Sequence, residues 1–248
     1  THWKGGSIMI IFEFKKIKKS AIPITLIFFN LVGSLLGAMI YALNRKVLLD
    51  GTQAHVLWGQ TVFYSSQVFT PILIGIICSI SCQFEESNKN WQRLLSIPVK
   101  ANRIVLSKIT SLSLVMAISQ LIALLFYIIS ALVLKVPFAN YLLDFLLWSI
   151  TGWLATITIV TIQIFLSIRL KNFAVPILIS AILAIAGLMT LFIGQGLFRI
   201  FPYAQIAVGD RARSLVPFTL SEFILFLVVN GAYIFVFYTL AVRQLKKG

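Results

Sequence analysis

The stretch "EESNKNWQRLLSIP", Glu85 to Pro98, holds the densest chemistry in the chain. Glu85 and Glu86 stand together, Lys89, Gln92 and Arg93 follow, and Trp91, Leu94 and Leu95 fall at i, i+3, i+4. That spacing predicts a short helix with one apolar face. Asn88 or Asn90 would cap its start, and Ile97 before Pro98 would end it. A helix of about two turns is unstable alone, so it must dock. The choices are this protein's own membrane surface or a groove on a soluble partner, with Trp91 as anchor and Arg93 near the rim.

Other candidate chemistry is sparse. Cys78 and Cys82 share a helix face at i, i+4, but His2 and His55 lie far away in sequence, so no metal site is expected. No G-x-x-x-x-G-K-[ST] occurs to cradle a nucleotide. The paired glutamates resemble the E-E-x-x-x-R of membrane-embedded CAAX-type proteases, but Asn90 stands at the next required position and no intramembrane histidines complete a site. An enzyme is not expected. Thr151, Thr158, Thr161 and Gln163 form a polar stripe that offers a low-ranking candidate for a cargo path, although such threonines most often bond back to their own helix.

The elements that must position these residues follow from composition. The 248 residues are 59% hydrophobic and only 11% charged, with a mean hydropathy of +0.97. Soluble domains carry about a quarter charged residues, so the chain reads as an all-α integral membrane protein. Six stretches reach the roughly 20 apolar residues that a span needs. They are 22–43, 62–82, 109–134, 145–166, 173–194 and 223–242, with Pro71 expected to kink the second. Trp148, Trp153 and Tyr141 read as interfacial anchors. The segment from Gly194 to Glu222 reads as outer-surface structure dipping into the interface. All seven acidic residues are expected at or beyond span boundaries, which argues against ion coupling within the chain.

Fifteen of the 21 Lys and Arg fall on one side of this arrangement. By the positive-inside rule that side is cytoplasmic and holds both termini and the Glu85 segment. The net charge of +14 therefore points to an anionic membrane surface and not to nucleic acid. Ahead of the first span, Ile10, Phe14, Ile17 and Ala21 face away from Lys15, Lys16, Lys18 and Lys19. The pattern predicts an amphipathic helix lying in the interface with its lysines among headgroups. Residues 1–8 read as a non-native remnant before Met9, leaving 9–248 as a single transmembrane domain. Gly33 and Gly37 form a G-x-x-x-G that suits a close helix contact.

The whole layout, an amphipathic entry helix, six spans and a polar helix between spans two and three, resembles the ABC-2 type permeases. Within them, "FEESNKNWQRLLSIPVKANRIVLSK", Phe84 to Lys108, is similar to permease subunits that give lantibiotic producers self-immunity. The shared features are an acidic start, a tryptophan, a Leu-x-x-Pro turn and a closing Ser-Lys. The resemblance implies that Glu85, Glu86, Asn88, Trp91, Gln92, Arg93, Leu94 and Leu95 form a coupling helix on a separate ATPase, with Arg169 and Lys171 making a lesser contact. It implies no cofactor in this chain, with ATP and magnesium held by two ATPase copies. It further implies a second, related permease chain, a bacterial plasma membrane, and an amphipathic peptide expelled outward. The alternative is the same scaffold exporting a drug, a bacitracin-like antibiotic or a cytolytic peptide.

Overall fold

A computed structural model describes residues 20–47, 51–87 and 100–247. Outside the described residues lie the expected interfacial helix with Lys15, Lys16, Lys18 and Lys19, the presumed remnant, and Asn88, Trp91, Gln92, Arg93, Leu94 and Leu95.

The described chain is all-helical. In order it forms α1 (Ile22–Asn44), α2 (Gln53–Tyr64), α3 (Thr70–Ser87), α4 (Ala101–Val133), α5 (Leu142–Leu170), α6 (Ala174–Ile193), α7 (Gln195–Ile200), α8 (Gln205–Gly209) and α9 (Leu220–Lys247). Six helices are long and apolar enough to cross a membrane, counting the continuous run through α2 and α3 as one. All six sequence-derived spans fall on these helices, most of them within a few residues at each end.

The second span departs furthest from expectation. It begins at Gln53, nine residues before the expected start, because His55, Gly59 and Gln60 dilute its hydropathy. Inside the fold these positions are accommodated. His55 packs edge-on to Tyr141 with centroids 4.4 Å apart, and Trp58 stacks on Phe145 at 4.9 Å. Between α2 and α3 the helix widens into a π turn at Ser65–Phe69. Pro71 accounts for it: with no N–H to give and a ring that crowds the carbonyl of residue 67, proline cannot continue an ordinary α ladder. Ser180 Oγ donates to the Pro71 carbonyl at 2.6 Å and ties the distortion to α6.

The G-x-x-x-G of α1 is used within the chain. A Cβ on Gly33 would collide with Ser65, and one on Gly37 with the backbone of Gln60 and Thr61. α1 therefore lies directly on the second span. The core divides in two. An aliphatic cluster of α3, α4 and α5 includes Leu73, Ile77, Ile104, Leu112 and Ile159. An aromatic cluster at the other end joins Trp58, Tyr127, Phe145 and Trp148. Trp148 is thus an interior residue and not an interfacial anchor. Trp153 sits a third of the way along α5, where its Nε1 donates to the Ser113 carbonyl at 2.7 Å. Cys78 and Cys82 are both buried.

Candidate functional site

Two polar regions stand out from this apolar frame. The first lies where α3 ends and α4 begins, at either side of residues 88–99. Glu85 on α3 and Lys108 on α4 form an ion pair, Nζ to Oε1 at 3.6 Å, with each side chain only 2% exposed. Lys108 Nζ also donates to the carbonyl and Oγ of Ser81, both at 3.3 Å. Neither charge could be held there alone, since an unpaired buried ion costs several kcal/mol. The first acidic residue and the closing lysine of the quoted stretch are therefore joined at the base of their helices. The sequence reading placed Glu85 in solvent with the rest of the segment. The structure turns its side chain inward, because α3 continues to Ser87 and Lys108 is within reach. Lys108 was named only as the closing residue of the motif, with no role of its own. Its signal was its place on the buried face shared with Ile104, Ser111 and Leu112.

Arg169 and Lys171 stand exposed at the C-terminal end of α5, at the same end of the bundle. Lys171 takes a left-handed conformation, φ 49°, that stops the helix. Asn172 Oδ1 then accepts from the N–H groups of Ala174 and Val175 at 2.8 and 3.2 Å, starting α6 at once. The result is a tight basic turn.

The second region was not legible as a site. After α6 the chain folds back into the bundle through α7, the 3-10 turn Pro202–Ala204 and α8. Tyr203, Ala204, Gln205, Ile206 and Ala207 are all buried, so this is interior structure and not an outer-surface layer. Small residues make room for it. A Cβ on Gly209 would meet the Thr151 carbonyl at 2.7 Å, and one on Gly187 would sit 3.3 Å from the Tyr203 backbone.

Polar side chains from the spans bond the returning segment, some at its backbone and others at its side chains. Thr151 Oγ1 donates to the Gly209 carbonyl at 2.6 Å, and Gln163 Nε2 donates to Tyr203 Oη at 2.7 Å. Thr158 Oγ1 donates to Asn230 Oδ1 at 2.6 Å, and Asn230 Nδ2 passes the connection to Gln205 Oε1 at 2.9 Å. Thr161 bonds back to the Ile157 carbonyl. Of the four residues considered for a cargo path, three reach the returning segment directly or through Asn230.

Asp210 closes this region. Its carbonyl accepts from Trp58 Nε1 at 2.9 Å, and its Oδ1 accepts from Gln120 Nε2 at 3.0 Å. Gly152 faces the carboxyl so closely that no side chain fits between them. Burial pushes the Asp210 carboxyl up to about 7, with hydrogen bonds from Ser66 and Gln120 opposing. The expectation that every acidic residue sits at or beyond a span boundary holds for Asp210 along the chain, but its carboxyl is buried all the same. Asp210 is outside the spans in sequence, yet folding brings it against residues well inside α4 and α5. Nearby, Arg211 Nε donates to the Val216 carbonyl at 2.6 Å. Glu222 bridges Arg211 at 3.2 Å and Arg199 at 2.8 Å. Burial lowers the Arg211 guanidinium from its usual range, and Glu222 counters that. Among the described residues no three His, Cys, Asp or Glu side chains gather to hold a metal.

Six spans, a polar crossing between the second and third, and residues 9–187 matching the family described as "ABC-2 family transporter protein" fall on one chain. The chain belongs to that family. The match runs from before α1 into α6. No curated protein matches the chain. As an ABC-2 permease it is a multi-pass membrane transport component, and ABC-2 permeases generally work with ABC ATPase subunits.

Proposed function

We propose that this permease is the membrane subunit of an ATP-driven exporter that expels a lantibiotic-type antimicrobial peptide and gives its producer self-immunity. The observation that carries the coupling part of this reading is the Glu85–Lys108 pair. It fastens together the two helices from which the Trp91-Leu94-Leu95 segment emerges, so a displacement of that segment acts on α3 and α4 jointly. Arg169 and Lys171, exposed at the same end of the bundle, supply the lesser contact. The excess of Lys and Arg supports placing this end, and both termini, in the cytoplasm, with Lys15, Lys16, Lys18 and Lys19 among headgroups. The peptide cargo is supported by the likeness of Phe84–Lys108 to lantibiotic-immunity permeases. Two ATPase copies and a second permease chain complete the assembly, and Thr151, Thr158, Thr161 and Gln163 would serve a cargo path through the packing of the returning segment.

Trp91→Glu tests the reading. Removing an interface anchor costs about 2 kcal/mol or more, roughly 30-fold in affinity, and a buried carboxylate adds to that. The variant should accumulate in the membrane, copurify poorly with its ATPase, and give no protection against the peptide. Lys89→Ala, at the rim, should do neither harm. Full copurification and protection with Trp91→Glu would sink the coupling assignment. Intact coupling without peptide protection would sink the cargo alone.

A further inference from the structure

A groove of about 550 Å³ runs between α4, α5 and α9, lined by Leu106, Ile109, Leu114, Ile157, Ile234 and Phe235. Its volume lies within the range of small-molecule sites, roughly 300–1,000 Å³. Leu106, Leu114 and Phe235 are exposed, so the groove opens sideways, toward the hydrocarbon that surrounds spanning helices. One end is marked. Tyr238 Oη donates to the Asn102 carbonyl at 3.3 Å, closing α9 onto the first turn of α4. Along α4 the groove-lining positions Leu106, Thr110 and Ser113 are preceded at the same spacing by Arg103 and Lys100. Residues three and four apart share a helix face, so Arg103 lies in line with the groove at its Asn102 end, and Lys100, the residue just before the helix, stands beyond it; both are exposed.

We propose that this groove binds one acyl chain of an anionic membrane phospholipid, whose headgroup phosphate is met by Arg103 and Lys100. The lining is apolar along the length that a chain would occupy, and cations stand only where a headgroup would emerge. Arg suits phosphate through its planar fork of donors. A second copy of this chain fits the site less well. Among the described acidic side chains, Asp144, Asp210 and Glu222 lie toward the opposite end of the bundle and Glu85 is engaged by Lys108, so these four bring little negative charge from a copy to Arg103. Gly231 lies in the groove wall and has open space where a Cβ would point. A large side chain there blocks the groove without disturbing the helix.

Trp153 also lines the groove and reports on it. The purified chain is reconstituted in phosphatidylcholine vesicles containing a minor fraction of brominated-chain phosphatidylglycerol or brominated-chain phosphatidylcholine. The Trp153 contribution is the difference between wild type and Trp153→Phe. Brominated phosphatidylglycerol should quench it at about tenfold lower content than brominated phosphatidylcholine, which corresponds to about 1.4 kcal/mol. Gly231→Phe should abolish that quenching, with Gly231→Leu as a smaller block, and both should elute like wild type. Arg103→Gln should make the two lipids equal while leaving quenching in place. Equal quenching by both lipids in wild type, or quenching unchanged in both Gly231 variants, overturns the proposal. So does a Trp153 shielded from both lipids, which would mean that a protein surface covers the groove.

Discussion

Gln120 Nε2 donates a 3.0 Å hydrogen bond to Asp210 Oδ1, joining a residue well inside α4 to one just past α8. The bond fixes how far the returning segment enters the bundle. Trp58 holds the Asp210 carbonyl from α2, and Gly152 leaves α5 flat enough for the carboxyl to reach Gln120. One residue, through its carboxyl and its carbonyl, thus registers the second, third and fourth spans against the segment that follows the fifth.

The stability of the protein should depend on the charge of Asp210. Its folded value of about 7 stands above its ordinary 3.8, so the folded state keeps a proton that the unfolded chain releases. The contribution is complete below about pH 4, falls as pH rises through 7, and levels off above that. Thermal unfolding in detergent should show a melting temperature that declines across this window. Asp210→Asn should flatten the decline, and an unchanged slope in that variant would assign the effect to another group.

Gly37 and Gly231 should respond in opposite ways to alanine. At Gly37 a methyl collides with the Gln60 carbonyl and the Thr61 backbone, neither of which is a flexible tip. Overpacking of this kind costs about 1–3 kcal/mol, so Gly37→Ala should melt several degrees lower. Gly231→Ala meets nothing within 4 Å and improves helix propensity by up to about 1 kcal/mol. Its melting temperature should hold or rise.

Breaking the Glu85–Lys108 pair from either side should be costly. Loss of one partner of a buried pair is worth about 3–5 kcal/mol, so Glu85→Gln and Lys108→Met should each lower the melting temperature. The exchange Glu85→Lys with Lys108→Glu keeps both charges and should recover part of the loss. A double variant as destabilised as Glu85→Lys and Lys108→Glu added together would show that the two residues act independently.

Single cysteines at Asn88 and Ser214, in a background without Cys78 and Cys82, should label from opposite sides of the membrane. Ser214 is exposed in the structure. Labelling of both by an impermeant reagent in intact cells would overturn the cytoplasmic placement of the Glu85 segment.

The six spans were legible because long apolar runs have few other uses in a chain this hydrophobic. Their ends were less so. Arg103 and Lys108 pushed the expected start of the third span to residue 109, yet α4 begins at Ala101, since hydropathy cannot foresee that Lys108 finds Glu85. The same blindness hid Asp210. A carboxyl in a loop reads as solvated until folding surrounds it with Gln120, Ser66 and Gly152. The returning segment was polar enough to be excluded as a span. Only the matching set of inward donors, Thr151, Gln163 and Asn230, reveals where the segment goes, and that set is assembled from helices distant in sequence.

The π turn at Ser65–Phe69 sets the angular phase of everything that follows it on the second span. One additional residue per widened turn offsets the two halves of the helix by about 100° relative to an unbroken α-helix. Deleting Val68 would shorten the widened turn by one residue and rotate α3 as a body by about 100°, carrying Glu85 off Lys108 and Cys78 off α5, though no residue of α3 had changed. Which neighbours that helix meets is therefore written upstream of it, in the length of a five-residue turn.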